Sequence, residues 1–182
     1  MPPTVGSPTA VFQDNRISFD GPCDDGRVDE LDSAIVAALQ ADGRRSNRDL
    51  ATALGVSPST TLERVRSLRQ RGVLAGVHYA ADLAQLGRPV QAMITVRLRP
   101  QTRDVVLGFR NFALQLPKTL QVFITTGAED IVMHVAVPST QALRDFVLDS
   151  LTKRREVAGV RTDVVFDHER KHVIPPADAS DR

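Results

Sequence analysis

Hydrophobic residues in the first half of the chain recur at the three- and four-residue spacing of α-helices. Three segments show this pattern, from Asp29 to Gly43, from Ser46 to Gly55 and from Ser57 to Gly72. The expected buried stripes contain Leu31, Ala34, Ile35, Ala38, Leu39, Leu50, Ala51, Leu54, Leu62, Val65 and Leu68. Ser46 and Ser57 are good N-caps, and Pro58 suits a first helical position. A glycine turn joins the last two helices, so the pattern predicts a helix-turn-helix.

From residue 89 onward the period alternates between that of strands and that of helices. Apolar and polar residues alternate over residues 92–99, a helical pattern follows Thr102, and two strand-like runs flank the turn at residues 127–130. Ser139 can cap a further helix, and residues 160–166 form a last apolar strand. The order β-α-β-β-α-β predicts a ferredoxin-like domain, with two helices on one face of a four-stranded antiparallel sheet. The fold class is therefore α+β.

The face of this sheet without helices is also expected to be rather apolar. In the predicted register it carries Met93, Thr95, Phe123, Thr125, Val132, His134 and Val165. An apolar face of this size is seldom left to solvent, so a partner sheet from a second copy is expected to cover it.

Charge is concentrated in the predicted helix-turn-helix. The 182-residue chain has a formal net charge of only +1, whereas residues 44–72 contain seven arginines and two acids, a net charge of +5. A local basic patch on a helix-turn-helix is typical of DNA binding. The predicted DNA contacts are Arg44, Arg48, Ser57, Ser59, Thr60, Arg64 and Arg66. The alternative is a solvated helix pair in an all-α module.

Composition and motifs argue against several other classes of protein. Cys23 is the single cysteine, so neither an intrachain disulfide nor a cysteine cluster for zinc is expected. The four histidines have no further metal ligands at a suitable spacing in the sequence. No phosphate loop, dinucleotide fingerprint or nucleophile elbow occurs. No apolar run is long enough for a membrane span, and no signal pattern opens the chain. We expect a cytoplasmic protein without a cofactor, a metal or a membrane partner.

Several short motifs together resemble the Lrp/AsnC family, the feast/famine transcription regulators that respond to amino acids. The likeness extends from about Val28 to His172. It rests on the segments Val28–Asp32, Ala41–Arg44, Leu54–Ser59, Leu62–Leu68, Arg71–Leu74 and Thr126–Asp130. The resemblance implies a winged helix-turn-helix that reads double-stranded operator DNA as a homodimer. It also implies a carboxy-terminal sensor domain whose dimers often assemble into tetramers, octamers or larger rings.

The same resemblance implies where an effector binds. In the family, effector amino acids lie between subunits near a Gly-x-x-Asp turn, which Gly127 and Asp130 match, and Thr162 is similar to a typical threonine of the last strand. The chain departs from the pattern at Glu129 and Ile131, where tyrosines are frequent. The structural alternative is that the glycine only supplies a positive φ in a hairpin turn and that the aspartate bonds its own backbone.

Two other functional classes are kept as alternatives. Sirohaem decarboxylases resemble this family in both halves, and His134 would be a candidate site residue in such an enzyme. A basic recognition helix, which an enzyme does not need, argues against that class, and we expect no enzymatic activity. The third class is an architectural DNA-binding protein without an effector.

The predicted domain organisation has five parts. An unstructured leader is expected at residues 1–27, the helix-turn-helix domain covers 28–76 and a linker covers 77–89. The effector-binding and oligomerisation domain covers 90–172, and a polar tail covers 173–182. A short strand is expected within the first domain, at residues 73–77.

Overall fold

The computed structural model describes residues 28–177. The predicted leader and the last five positions of the predicted tail lie outside the described residues. The chain divides into two units, the first containing residues 28–76 with 172–177 and the second containing Val77–Lys171. Among the described residues, no helix combines the length and the apolar character needed to cross a membrane.

Three helices form the first unit: α1 (Glu30–Ala41), α2 (Asn47–Leu54) and α3 (Pro58–Gln70). Each begins at a side-chain cap, as the sequence predicts for Ser46 and Ser57, and Asp29 caps α1. Gly55 ends α2 with φ of 68°, a left-handed conformation that favours glycine. The buried core residues are Ile35, Val36, Leu50, Val65 and Leu68. The predicted helix-turn-helix is confirmed.

One position in the predicted stripe of α3 is wrong. Leu62 is 55% exposed, whereas its neighbour Thr61 is fully buried. Thr61 tolerates burial because its Oγ1 donates a hydrogen bond of 3.2 Å to the Ser57 carbonyl. The buried stripe is therefore Thr61, Val65 and Leu68, and the outward face of α3 is rotated by one residue from the expected one.

The short strand expected at residues 73–77 is also wrong. Residues 71–89 form turns and irregular backbone, with no strand among them. Val73 and Val77 are 40% and 58% exposed, and a strand needs a partner for its backbone groups. Within the described residues the helix-turn-helix is thus a three-helix unit without strands. Its end is fixed instead by the Leu74 N–H, which donates to the Leu68 carbonyl at 3.1 Å.

The second unit has the predicted β-α-β-β-α-β order. Its elements are β1 (Val90–Leu98), α4 (Arg103–Gln115), β2 (Thr119–Ile124), β3 (Ile131–Val137), α5 (Thr140–Phe146) and β4 (Val157–Val165). A π-helical turn, Val147–Leu151, continues α5. The strands form one antiparallel sheet in the order β2-β3-β1-β4. This confirms the ferredoxin-like α+β domain, although β4 begins three residues earlier than expected.

The core of the second unit lies between the two helices and one face of the sheet. The fully buried sheet residues on that face are Ala92, Ile94, Val96, Leu98, Ile131, Met133, Val135 and Val137. Phe109 of α4 and Phe146 of α5 pack against them. The π turn keeps Leu151 buried five residues after Phe146, a spacing that an ordinary helical turn does not give.

The opposite face of the sheet carries the side chains that its register predicts. Met93 lies opposite His134, and Thr95 lies opposite Val132. Phe123 on edge strand β2 is 45% exposed, whereas the residues near the middle of this face are half-buried or buried. That a second copy covers this face remains a prediction.

Candidate functional site

Helix α3 presents one polar row away from its core. Its buried residues point to one side, and the opposite side is occupied by Ser59, Glu63, Arg66 and Gln70, which recur at helical spacing. All four are exposed. Exposed Leu62 adjoins this row and adds an apolar group suited to a thymine methyl. Sequence reasoning placed Leu62 in the core and therefore missed it as a candidate contact.

Three hydroxyl groups meet at the start of α3. The Ser57 Oγ accepts a hydrogen bond from the Thr60 N–H at 3.1 Å and lies 2.8 Å from the hydroxyl oxygens of both Ser59 and Thr60. The cap thus holds two of the predicted DNA-contact residues in defined positions. Ser57 and Ser59 are exposed, and Thr60 is half-buried.

Arg64 lies on the flank of α3 that faces α1. Its Nη1 is 2.6 Å from Asp29 Oδ2 and 3.3 Å from Asp32 Oδ1. The pKa of Asp29 lies below its ordinary value, chiefly through the hydrogen bond from the Asp32 N–H, and Arg64 lowers it further. The same contacts raise the pKa of Arg64. The structure therefore brings Arg64 to two carboxylates and leaves it 40% exposed.

Arg44, Arg48 and Arg66 have exposed side chains. Arg44 precedes α2, Arg48 lies in its first turn, and Arg66 lies on the outward row of α3. Exposed arginines at these positions suit a phosphate backbone, whereas Arg64 contacts two carboxylates at the start of α1. The predicted basic patch thus contains three exposed arginines, Arg44, Arg48 and Arg66, and one arginine, Arg64, that faces α1.

The turn between β2 and β3 contains the predicted effector residues Gly127 and Asp130. Gly127 is exposed and has φ of 129°, a conformation that side chains rarely adopt. The Thr125 hydroxyl donates to the Glu129 carbonyl at 2.8 Å, and the Thr125 N–H donates to the Asp130 carbonyl at 3.0 Å. These bonds close the turn internally.

The Asp130 side chain is directed into the domain. The residue is only 3% exposed, and its carboxylate accepts hydrogen bonds from the Leu98 N–H at 2.6 Å and from the Gln101 side-chain amide. Both carboxylate oxygens are therefore used within the chain. The partners of this carboxylate belong to the segment at the end of β1 and not to the turn's own backbone, so this geometry differs from the local bond of the structural alternative.

Thr162 lies on the helix-covered side of the sheet, opposite Ile94 of β1. It lines a shallow pocket of about 290 Å³ with Thr140, Leu143, Arg144, Val147 and Leu148. Asp130 instead bonds the end of β1 at Leu98, four residues and about 13 Å further along the strand. Within one chain the structure does not bring Thr162 and Asp130 together.

His134 occupies the middle of the open sheet face. Its Nε2 is 2.9 Å from the Gln91 side-chain oxygen, and its ring stands edge-on to that of His168 at 6.2 Å between centroids. Burial lowers the pKa of His134, and the neighbouring His168 lowers it further. His134 does not line the pocket beside Thr162.

A helix-turn-helix with an outward polar row, joined to an α+β domain, defines a class of DNA-binding regulators with a separate ligand-binding domain. Residues 28–69 match the AsnC-type helix-turn-helix domain, and residues 91–173 match the Lrp/AsnC ligand binding domain. The chain belongs to the Lrp/AsnC family of transcriptional regulators.

Individual relatives agree with this assignment. The HTH-type transcriptional regulator AldR of Mycobacterium tuberculosis is 36% identical over 143 residues, which cover 79% of this chain and 80% of AldR. The transcriptional regulator NMB0573 of Neisseria meningitidis, solved as a complex with L-Met, is similar with a TM-score of 0.75 and 25% identity over 82% of this chain and 97% of that one. AsnC of E. coli gives a TM-score of 0.73 and 26% identity over 82% and 99% of the two chains.

Proposed function

We propose that this protein is a sequence-specific, non-enzymatic regulator that binds operator DNA through α3 and responds to an amino acid through its carboxy-terminal domain. The observation that carries the DNA-reading part is the exposed row Ser59, Glu63, Arg66 and Gln70, with its hydroxyl cluster at the start of the helix. Short polar groups near a helix start suit base edges, and cations beside them suit phosphates. Arg44 and Arg48 supply further phosphate contacts. A DNA-binding role agrees with the expected cytoplasmic location.

The DNA-reading part is tested by selecting duplexes from a random-sequence pool with the wild-type protein. Fluorescence anisotropy then compares the selected duplex with a scrambled one at a single salt concentration. A specific regulator prefers the selected duplex by roughly a thousandfold or more. Equal affinity for both duplexes would instead support the architectural alternative.

For the effector we propose the pocket beside Thr162. Leu143, Val147 and Leu148 give it an apolar wall, and Arg144 also lines it, with its exposed guanidinium 3.2 Å from the Asp145 carboxylate. An amino acid with an apolar side chain suits this combination, since its carboxylate pairs with a guanidinium and its side chain with the wall. The L-Met complex of NMB0573 supports an effector of this chemical class. A site that also includes the turn at Gly127 and Asp130 would require a second subunit.

Calorimetry against the twenty amino acids tests the pocket. Thr162→Val and Arg144→Gln should each weaken binding of any amino acid that the wild-type protein binds. Arg110→Gln is the matched control, because Arg110 lies on α4 and its guanidinium contacts only the neighbouring Asn111 among the described residues. If no amino acid binds the wild-type protein, the effector part is refuted. If binding survives both pocket variants, the effector lies elsewhere.

A further inference from the structure

A buried carboxylate joins the first and third helices of the DNA-binding unit. Asp32 of α1 is 1% exposed, and each of its oxygens faces an arginine, one in α3 and one at the C-cap that follows it. Arg64 Nη1 lies 3.3 Å from Oδ1, and Arg71 Nη1 lies 3.4 Å from Oδ2. A carboxylate this deeply buried is rarely found without charged partners, because desolvation strongly disfavours an unpaired charge.

The two arginines are seven residues apart, and because the C-cap Arg71 keeps a right-handed helical conformation, they lie about two turns apart on the same side of α3. A single carboxylate held between them constrains both the rotation of α3 about its axis and its displacement along α1. Apolar contacts between the same helices are less directional and tolerate small rotations. Buried ion pairs contribute little net stability, and their best-attested role is to specify one register among similar packings.

Arg64 is held by a second carboxylate as well. Its Nη1 also contacts Asp29 at 2.6 Å, while the other oxygen of Asp29 accepts the Asp32 N–H at 2.7 Å and caps α1. The start of α1 and the middle of α3 are thus connected through one guanidinium. Arg66, two residues further along, makes no such ion pair with any residue in the range 28–177 and lies on the outward row.

We propose that Asp32 is a positioning residue for DNA reading, and that Arg64 serves this ionic cluster of Asp29, Asp32, Arg64 and Arg71 instead of contacting DNA. This inference rests on the proposed DNA-reading role of α3. The cluster fixes the angle at which the outward row of α3 meets a base edge, so its loss impairs sequence discrimination more than phosphate binding.

The direction in which one substitution changes DNA affinity distinguishes a positioning role from a purely electrostatic one. Asp32→Asn removes a negative charge from a DNA-binding unit, so electrostatics alone predicts tighter binding. Positioning predicts weaker binding to the selected duplex, by about tenfold, and a smaller preference over a scrambled duplex. Glu30→Gln is the matched control, because it removes the same charge from an exposed position of the same helix. It should bind both duplexes at least as tightly as the wild-type protein.

A double-mutant cycle tests the role of Arg64. Arg64→Gln should weaken binding to the selected duplex, leave the slope of log affinity against log salt unchanged, and add little in the Asp32→Asn background. All affinities are measured at temperatures where circular dichroism shows each variant to be fully folded, so a purely stabilising role leaves them unchanged. If Asp32→Asn does not fold, Arg71→Gln takes its place in the cycle, because Arg71 contacts the same carboxylate.

Two results would overturn the inference. One is that Asp32→Asn, or Arg71→Gln in its place, retains the wild-type preference for the selected duplex. The other is that Arg64→Gln reduces the salt slope by about one unit and is additive with the second substitution, as expected for a phosphate contact. A wild-type protein that shows no preference between duplexes would refute the proposed specific DNA reading itself, a result distinguishable from both.

Discussion

The carboxylate of Asp130 accepts a hydrogen bond of 2.6 Å from the backbone N–H of Leu98, and this bond ties the β2–β3 turn to the end of β1. Asp130→Ala should therefore destabilise the carboxy-terminal domain by about 1–3 kcal/mol, because a buried backbone donor loses its acceptor. Urea unfolding monitored by circular dichroism measures the change. Glu129→Ala is the control from the same turn and should stay within about 0.5 kcal/mol. Equal stabilities of the two variants would refute this role.

A second prediction concerns the outward row of α3. Arg66→Ala should weaken binding to the selected duplex by roughly 1–3 kcal/mol if Arg66 contacts a base, or reduce the salt slope by about one unit if it contacts phosphate. Anisotropy titrations at several salt concentrations distinguish the two outcomes. Arg103→Ala, an exposed arginine of the other domain, should change neither quantity. Unchanged affinity and slope for Arg66→Ala would remove this residue from the interface.

A third prediction separates the role of Ser57 as a helix cap from its predicted role as a DNA contact. Ser57→Ala should destabilise the helix-turn-helix by about 1 kcal/mol, because the Thr60 N–H loses its cap. Ser57→Asp should restore the cap and the stability, yet weaken DNA binding, since it brings a negative charge toward phosphate. Thermal unfolding and anisotropy are measured on both variants. Were Ser57→Asp to bind DNA as tightly as the wild-type protein, the start of α3 would lie away from the duplex.

The pKa of Asp29 gives a fourth prediction. Since it is lowered in the folded protein, the stability that Asp29 contributes is present above about pH 4 and is lost as pH falls through its folded pKa. Asp29→Asn retains a capping side chain but removes the charge that faces Arg64. The free energy of unfolding of the wild-type protein should exceed that of Asp29→Asn by less than about 1 kcal/mol, because the ion pair is partly exposed. This difference should decline below pH 4. A difference that is constant from pH 7 to pH 2 contradicts this account.

Sequence reasoning predicted the fold well because hydrophobic periodicity and caps determine most of it. Ser46, Ser57 and Ser139 cap helices as expected, and the predicted β-α-β-β-α-β order along the chain is correct. One error falls where the choice between two neighbouring residues decides which is buried. Leu62 is more apolar than Thr61, yet Thr61 satisfies its hydroxyl on the Ser57 carbonyl and is buried instead. The π turn at Val147–Leu151 has no comparable sequence signal.

The site residues were less predictable, because their roles depend on contacts between distant segments. Arg64 and Arg66 are equivalent in the sequence, but Arg64 meets carboxylates more than thirty residues away. The same holds for Asp130, whose partner Leu98 is 32 residues away. A turn motif read from the sequence does not say whether its carboxylate points outward or into the domain.

The last prediction concerns assembly through the open sheet face, where burial and the neighbouring His168 lower the pKa of His134. A histidine with a lowered folded pKa is held neutral, so stability is lost as pH falls from about 6.5 toward that pKa. The titratable and charged groups near it on this face are His168, after β4, and the paired Asp163 and Arg161 on β4. We expect two copies to pair through this face, which increases the burial of His134 and makes the paired state more sensitive to acid.

Sedimentation at micromolar concentration should therefore find a dimer or an even multiple at pH 7.5 that dissociates more readily at pH 5.5. His134→Gln keeps a polar side chain beside Gln91 without a charge, and should make the dissociation constant much less dependent on pH over this interval. His78→Gln, an exposed histidine outside the sheet, should retain the wild-type pH dependence. A monomer at pH 7.5 would refute the pairing itself, because the half-buried apolar residues of this face would then lack the partner that we infer. A dimer whose pH dependence survives His134→Gln would place the titrating group elsewhere on the interface.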